Sequence, residues 1–357
     1  MSSMTFRPSR REVLKAGVAA TAGIVGGALP EGLLRGLAAA PTGGRLSDIE
    51  HVIFFIQENR AFNHLFGTYP GVNGFKGYSA DSSNPDYRRW NQFYDVQTDL
   101  PQGDVPPPNP LKPFHIDSMS GGQCTHDIDH QWVTQHKSWN LGQMDKFLAT
   151  HLDFDGFSQG MNQVSGAKHP NGVMTMGYYE RADVPVYYAL ADNFTLCDAY
   201  HTSAISGSAP NWIYAFTGMI DPEGMHGGPI AVTPPYSDYP SKWYGKLTWT
   251  TMMERLEANH VSWKFYNSPD VENPVFSDNF LTFFANFFGP SADPTLAMKA
   301  LGDQNWAGSQ PLSFMADCAA GNLPQVSWLI APAIWSDHPP ASPQFGAGTT
   351  KPYLPFG

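Results

Sequence analysis

Charge is scarce in this 357-residue chain, at 15% of residues, and 21 Lys and Arg stand against 32 Asp and Glu. Affinity for nucleic acid needs clustered Lys and Arg facing phosphates, so no nucleic-acid partner is expected. Cysteine is rarer still, with only Cys124, Cys197 and Cys318. No CxxC or Cys/His spacing for structural zinc occurs, and at most one disulfide can form. Stability must therefore come mainly from the core. No apolar run approaches the roughly 18 residues that cross a bilayer. No repeat at a period of about 20–50 residues points to a solenoid or propeller. What is plentiful is apolar surface: 42% hydrophobic and 13% aromatic residues, which argues against disorder. With 34 Gly and 31 Pro, the composition fits an enzyme with many ordered loops rather than a helical bundle. The length allows one large α/β domain or two at roughly 100–200 residues each.

The N-terminus reads as an export signal. A Ser9-Arg10-Arg11-Glu12-Val13-Leu14-Lys15 block precedes the uncharged stretch Ala16 to Leu29, and Ala38-Ala39-Ala40 offers a small-residue cleavage site. Adjacent arginines before a mild Gly/Ala-rich stretch are of the twin-arginine kind, whose export machinery carries folded proteins. The expectation is a signal peptide over residues 1–40 and a periplasmic, cell-envelope or extracellular destination. Residues 1–40 hold five basic and two acidic residues; removing them from 21 and 32 leaves a body of net −14. An acidic body of this kind is compatible with divalent metals.

The body opens with Val52 to Ile56, continuously apolar and β-branched or aromatic, the pattern of a strand buried on both faces in a parallel sheet. It runs into Glu58-Asn59-Arg60. Ligands of open α/β sheets collect beyond the carboxyl ends of strands, so this is the first place to look. Residues 67–125 read as a long ordered loop region and 127–150 as helical. A further element begins over Tyr187 to Leu190, and a short strand is expected over Asn193 to Asp198. A turn at Ser206-Gly207-Ser208 then leads into a helix over Asn211 to Gly218. Thr251 to Ala258 reads as a helix, and Val261 to Tyr266 and Val326 to Ile330 as strands. Alternation of this kind argues for a doubly wound α/β domain.

Several residues could carry chemistry. Glu58 and Asn59 offer two hard oxygen ligands at one strand end, suited to a divalent cation. A strand-end turn with Arg60 pairing Glu58 is the plainer reading. Ser208, between a strand and a helix, could face an anion or act as a nucleophile toward phosphorus, or simply cap the helix. Its surroundings are not G-x-S-x-G, so an α/β-hydrolase elbow is not indicated. His130, His201 and His338 lie in polar, loop-like contexts where a neutral imidazole could grip a metal or a phosphoryl oxygen. Trp132, Trp139, Tyr178, Tyr179, Trp212, Tyr214 and Trp335 could wall a quaternary ammonium group, though core packing accounts for most aromatics.

The block Gln57-Glu58-Asn59-Arg60-Ala61-Phe62-Asn63-His64-Leu65-Phe66-Gly67-Thr68 resembles the opening motif of the bacterial phospholipase C/acid phosphatase phosphoesterase family. Asp129-His130-Gln131-Trp132, Met176-Gly177-Tyr178-Tyr179 and the stretch Asp183 through Gly218 are similar to its phosphatidylcholine-hydrolysing branch. So are Val261-Ser262-Trp263-Lys264, Val326-Ser327-Trp328-Leu329 and Ser336-Asp337-His338-Pro339. The resemblance spans about residues 46–345 and implies an alkaline-phosphatase-like α/β/α sandwich with a mostly parallel central sheet. It implies a single phosphoesterase domain over 41–357, a divalent metal ion and a phospholipid substrate at a membrane or micelle surface. Carried over by position, Glu58 and Asn59 fall on metal- and phosphate-binding positions and Ser208 on the nucleophile. Asn211 falls on a substrate-binding position, and His130 and His338 on active-site histidines.

Two departures qualify the resemblance. Ala61 and Asn63 replace Ser and Asp of the opening motif, which removes a capping or ligand-supporting carboxylate. The family's later Asp-[Asp/Glu]-x-Gly-Gly-[Phe/Trp]-x-Asp-His motif has no counterpart, and Asp221-Pro222-Glu223-Gly224 matches neither its spacing nor its context. On the resemblance, the C-terminal part of the sandwich is expected to be missing. Three readings stand: a phospholipase C-like hydrolase, a broad acid phosphatase of the same superfamily, and a truncated, inactive member.

Overall fold

The computed structural model describes residues 45–75, 82–100, 106–118, 122, 125, 127–152, 171–232, 242–267, 279–301, 310–331, 336–339 and 341–344. In chain order these form β1 (Val52–Phe55), α1 (Phe62–Phe66), α2 (Tyr87–Trp90), β2 (Phe114–His115), α3 (Trp132–Trp139) and α4 (Phe147–Leu152). They continue as β3 (Gly177–Tyr178), α5 (Pro185–Asn193), α6 (Ser208–Thr217), α7 (Met252–Ala258), β4 (Trp263–Asn267), α8 (Pro294–Leu301), α9 (Gln310–Ala320) and β5 (Val326–Ile330). The segment read as a signal peptide, Cys124 and Trp335 lie outside the described residues.

The main sheet has the order β1-β5-β4 and is parallel throughout. Its register aligns Phe54 with Trp328 and Trp328 with Phe265. Those three rings stack across the strands, at 5.2 Å and 4.9 Å between centroids. This is the cross-strand pairing that fixes register in a sheet. Phe216 of α6 meets Phe265 edge-on at 5.7 Å and closes one face of the sheet. On the opposite face Tyr266 packs on Phe314 of α9. Helices thus cover both faces of the sheet at β4. The largest core cluster gathers Trp212, Ile213, Phe216, Met253, Phe265 and Trp328, among others.

Two expectations about strands need correction. Among the described residues β1 stands at the edge of the sheet rather than buried on both faces, and Val52, Ile53 and Phe54 each remain more than 40% exposed. Among the described residues its apolar run pairs on one side, with β5. No strand forms over residues 193–198: α5 continues to Asn193, whose amide donates back to the Ala189 carbonyl at 2.8 Å. Phe194 beyond it is exposed and no described strand runs alongside. Asp198 instead accepts the Asn73 N–H at 2.7 Å.

Several local signals are realised closely. Thr251 caps α7 and exchanges hydrogen bonds with Glu254, a capping box. Gly218 ends α6 at φ +79°, a conformation glycine adopts without penalty. Ala61 precedes α1 with no side-chain cap, the local result of the Ser-to-Ala departure. Asp221 is occupied by a turn: its carboxylate accepts the N–H groups of Met225, His226 and Gly228.

Candidate functional site

Because β1 and β5 are parallel neighbours, the segments leaving their carboxyl ends emerge at one edge of the sheet. The Glu58 N–H donates to the Ser336 carbonyl at 2.8 Å and ties the two segments together. Arg60 does not pair with Glu58. Its guanidinium donates to the Asp337 carbonyl (2.7 Å), the Thr125 hydroxyl (2.8 Å) and the Ala341 carbonyl (2.7 Å). One side chain thereby ties its own segment to two loops, one carrying Thr125 and one carrying Asp337 and Ala341. Burial lowers its pKa, opposed by nearby Tyr179 and Asp337.

Glu58 is buried, and both of its oxygens are engaged from α6. Ser208 Oγ donates to Oε2 at 2.9 Å and Trp212 Nε1 to Oε1 at 2.6 Å. The spacing explains this: residues i and i+4 lie one above the other on a helix face. Ser208 is the first residue of α6, with Gly207 as the N-cap, so the hydroxyl is directed at a carboxylate rather than at its own helix. Asn211 faces the other way. Its amide donates to the Ala204, Ser206 and Gly207 carbonyls and accepts the Ala204 N–H, folding the turn that presents Ser208.

Asn59, at φ +56°, directs its amide toward two imidazoles. Its Nδ2 lies 2.8 Å from His338 Nε2 and 3.2 Å from His130 Nε2. In each ring Nδ1 faces a backbone carbonyl, Pro339 for His338 (2.7 Å) and Ile128 for His130 (2.8 Å). A carbonyl can only accept, so Nδ1 carries the proton and Nε2 keeps its lone pair in both rings. This is the arrangement that orients histidines as metal ligands or phosphoryl partners. Asp127 joins them: ligand atoms from Asp127, His130 and His338 all lie within 4.8 Å of one another. Two imidazoles and a carboxylate form a set that could hold a divalent ion of the zinc class.

The five polar residues expected on one site, Glu58, Asn59, His130, Ser208 and His338, therefore converge, and Asn211 sits behind them as a support. Asp127, Asp337, Tyr187 and the roles of Arg60 and Trp212 were not read from the sequence. Asp127 stands three residues before His130, a spacing that could have raised it. Asp129, in the quoted motif, instead accepts the Gln131 N–H and the Thr134 hydroxyl at the start of α3. Asp337 is buried at φ +66° and accepts the Tyr187 hydroxyl at 2.5 Å. Burial pushes its carboxyl up to about 6, against the opposing pull of Tyr187 and Arg60. Tyr187 reaches it from α5, whose start is anchored by Asp183 accepting His115 (2.7 Å) and the Ser118 and Glu180 N–H groups.

The chain is 35% identical over 350 residues to phospholipase C A of Mycobacterium tuberculosis, which covers 95% of this chain and 60% of that protein. It is 34% identical over 310 residues to the non-hemolytic phospholipase C of Pseudomonas aeruginosa, covering 86% of this chain and 39% of that one. To the non-hemolytic phospholipase C of Burkholderia pseudomallei it is 32% identical over 359 residues, 95% of this chain and 46% of that one. The chain thus spans about 60% or less of the length of these relatives. Residues 49–355 match the Phosphoesterase family, and the chain belongs to that family.

Proposed function

We propose that this protein is an exported phospholipase C-like phosphoesterase. It hydrolyses phosphatidylcholine or a related phospholipid to diacylglycerol and a phosphoryl headgroup, with Ser208 as nucleophile. The observation that carries the reading is the pair formed by Ser208 Oγ and Glu58 Oε2 at 2.9 Å, next to Asn59, whose amide donates to the Nε2 atoms of two imidazoles. Ser208 Oγ attacks phosphorus and passes its proton to Glu58; the phosphorus–glycerol oxygen bond breaks and that oxygen takes up the proton Glu58 accepted. Water then attacks the phosphoseryl ester, releases the phosphoryl headgroup and returns a proton to Ser208. His130 and His338, whose Nε2 atoms are acceptors, are placed to take up a proton of the attacking water.

The donor set of Asp127, His130 and His338, with Glu58 and Asn59 adjoining, fits a divalent metal ion. When bound, such an ion supplies neutralisation of charge on the phosphoryl oxygens. The Arg10-Arg11 block supports delivery by the twin-arginine machinery to the periplasm, envelope or exterior, where phospholipid surfaces are available.

The test is phosphocholine release from phosphatidylcholine by the purified protein, with and without added Zn²⁺, Mn²⁺ or Mg²⁺, with Ser208→Ala alongside. Metal-dependent release lost in Ser208→Ala is expected. Turnover of monoesters without diesters would make the protein an acid phosphatase. No turnover of either by a folded protein would make it a non-catalytic relative.

A further inference from the structure

The site opens beside a surface that the chemistry above does not use. Helix α3 starts two residues after His130, and the two are locked together. Asp129 accepts the Gln131 N–H and the Thr134 hydroxyl, while the Gln135 amide donates to the His130 carbonyl. Whatever contacts α3 is therefore held at a fixed position relative to His130.

The exposed side of this unit is apolar, aromatic and cationic. Val133 is 59% exposed and Trp132 37%. Trp132 stacks on His136 at 4.0 Å, and His136 meets Trp139 edge-on at 6.2 Å. Lys137, one turn after Val133, is exposed on the same side. Beyond the helix Leu141 is 83% exposed. It lies within three successive left-handed residues, Asn140, Leu141 and Gly142, at φ 43°, 54° and 91°. Leucine takes that conformation at an energetic cost, and here it holds the side chain out in solvent. No Asp or Glu occurs from Gln131 through Met144, although the chain carries a net charge of −11. The acidic character of the molecule is thus suspended in the segment that leaves the site.

We infer that the surface formed by Trp132, Val133, Lys137 and Leu141 docks the protein on a phospholipid bilayer. Tryptophan and lysine are the residues that settle at the headgroup level, with exposed aliphatic side chains reaching the acyl boundary. Lys137 meets lipid phosphates without competing carboxylates on its own segment. Continuity with His130 gives the docking a consequence: a headgroup in the bound leaflet is presented to the imidazoles rather than to a random face. The inference rests on the phospholipid reading of the site, and it names the surface that would bring that substrate there.

The test compares the full protein with the Val133→Glu/Leu141→Glu double variant and with Trp132→Ala. Two readouts are needed: flotation with vesicles of phosphatidylcholine and phosphatidylglycerol, and turnover of water-soluble p-nitrophenyl phosphorylcholine. The double variant is expected to lose about tenfold in vesicle-bound fraction while soluble turnover stays within about twofold. Trp132→Ala should lose part of the bound fraction and diminish the blue shift of tryptophan emission on vesicles. Equal flotation of wild type and double variant overturns the inference. So does a lower light-scattering mass in the double variant, which would assign the surface to a second copy of this chain. If flotation falls but no protein turns over the soluble ester, the docking surface stands and the hydrolase reading fails.

Discussion

Ser208 Oγ and Glu58 Oε2 lie 2.9 Å apart although the two residues are 150 positions apart in sequence. The carboxylate follows β1 and the hydroxyl opens α6, so the contact depends on packing α6 over the sheet through Trp212, Phe216 and Phe265. If Glu58 receives the serine proton, Ser208→Ala and Glu58→Gln should each lower turnover by about 10³-fold or more. The double variant should be no worse than the poorer single one. Additive losses would show that the two act independently.

Trp212 holds the other oxygen of Glu58 at 2.6 Å in a buried setting. Trp212→Phe keeps an aromatic ring and removes only this donor. Leaving Glu58 Oε1 unpaired should cost about 1–3 kcal/mol in urea unfolding and also reduce turnover. Full stability with full activity would show that the indole N–H is dispensable.

Tyr187 acts on the site through Asp337, the residue before His338. Burial keeps the Tyr187 phenol protonated well beyond its usual range, with the Asp337 carboxylate adding to the effect, so it remains a donor at working pH. Tyr187→Phe leaves Asp337, whose Oδ1 already has no partner, without this donor. The Asp337 pKa should rise above its present value of about 6. Turnover should fall about tenfold with little change in KM, because His338 loses its fixed backbone rather than its chemistry.

His64 and Asp337 oppose each other in the dependence of stability on pH. Burial, with Arg60 adding repulsion, holds the His64 pKa at about 3 against an ordinary 6.5. In that window the unfolded chain binds the extra proton, so this contribution is complete above 6.5 and is lost as pH falls toward 3. For Asp337, between 3.8 and about 6 the native state binds the extra proton, so stability falls as pH rises. Urea melts at about pH 4 and 6.5 separate the two: His64→Gln should remove about 3 kcal/mol of acid-induced loss, and Asp337→Asn should steepen that loss. Unchanged slopes in both variants would refute the assignment.

The residues of the candidate site are legible where they directly follow or precede a recognisable element. Glu58 and Asn59 follow a recognisable strand, Ser208 stands at a turn before a helix, and His338 follows β5. Burial of β1 was overestimated because an apolar run shows that a strand can pair, not how many neighbours it has. The false strand at 193–198 has β-branched and aromatic residues, but it lacks a partner, which only tertiary structure reveals. Tyr187, Trp212 and Arg60 escaped for a similar reason. Each acts through hydrogen bonds to residues far away in sequence, and no local pattern marks such bonds.

The most direct test of the account is to trap the covalent intermediate. The protein is mixed with phosphatidylcholine in the presence of Zn²⁺, quenched in acid within a turnover, digested and weighed by mass spectrometry. The account predicts a phosphoryl-headgroup mass on the peptide containing Ser208, absent in Ser208→Ala. Turnover with the adduct on another residue, or with no loss in Ser208→Ala, would contradict it.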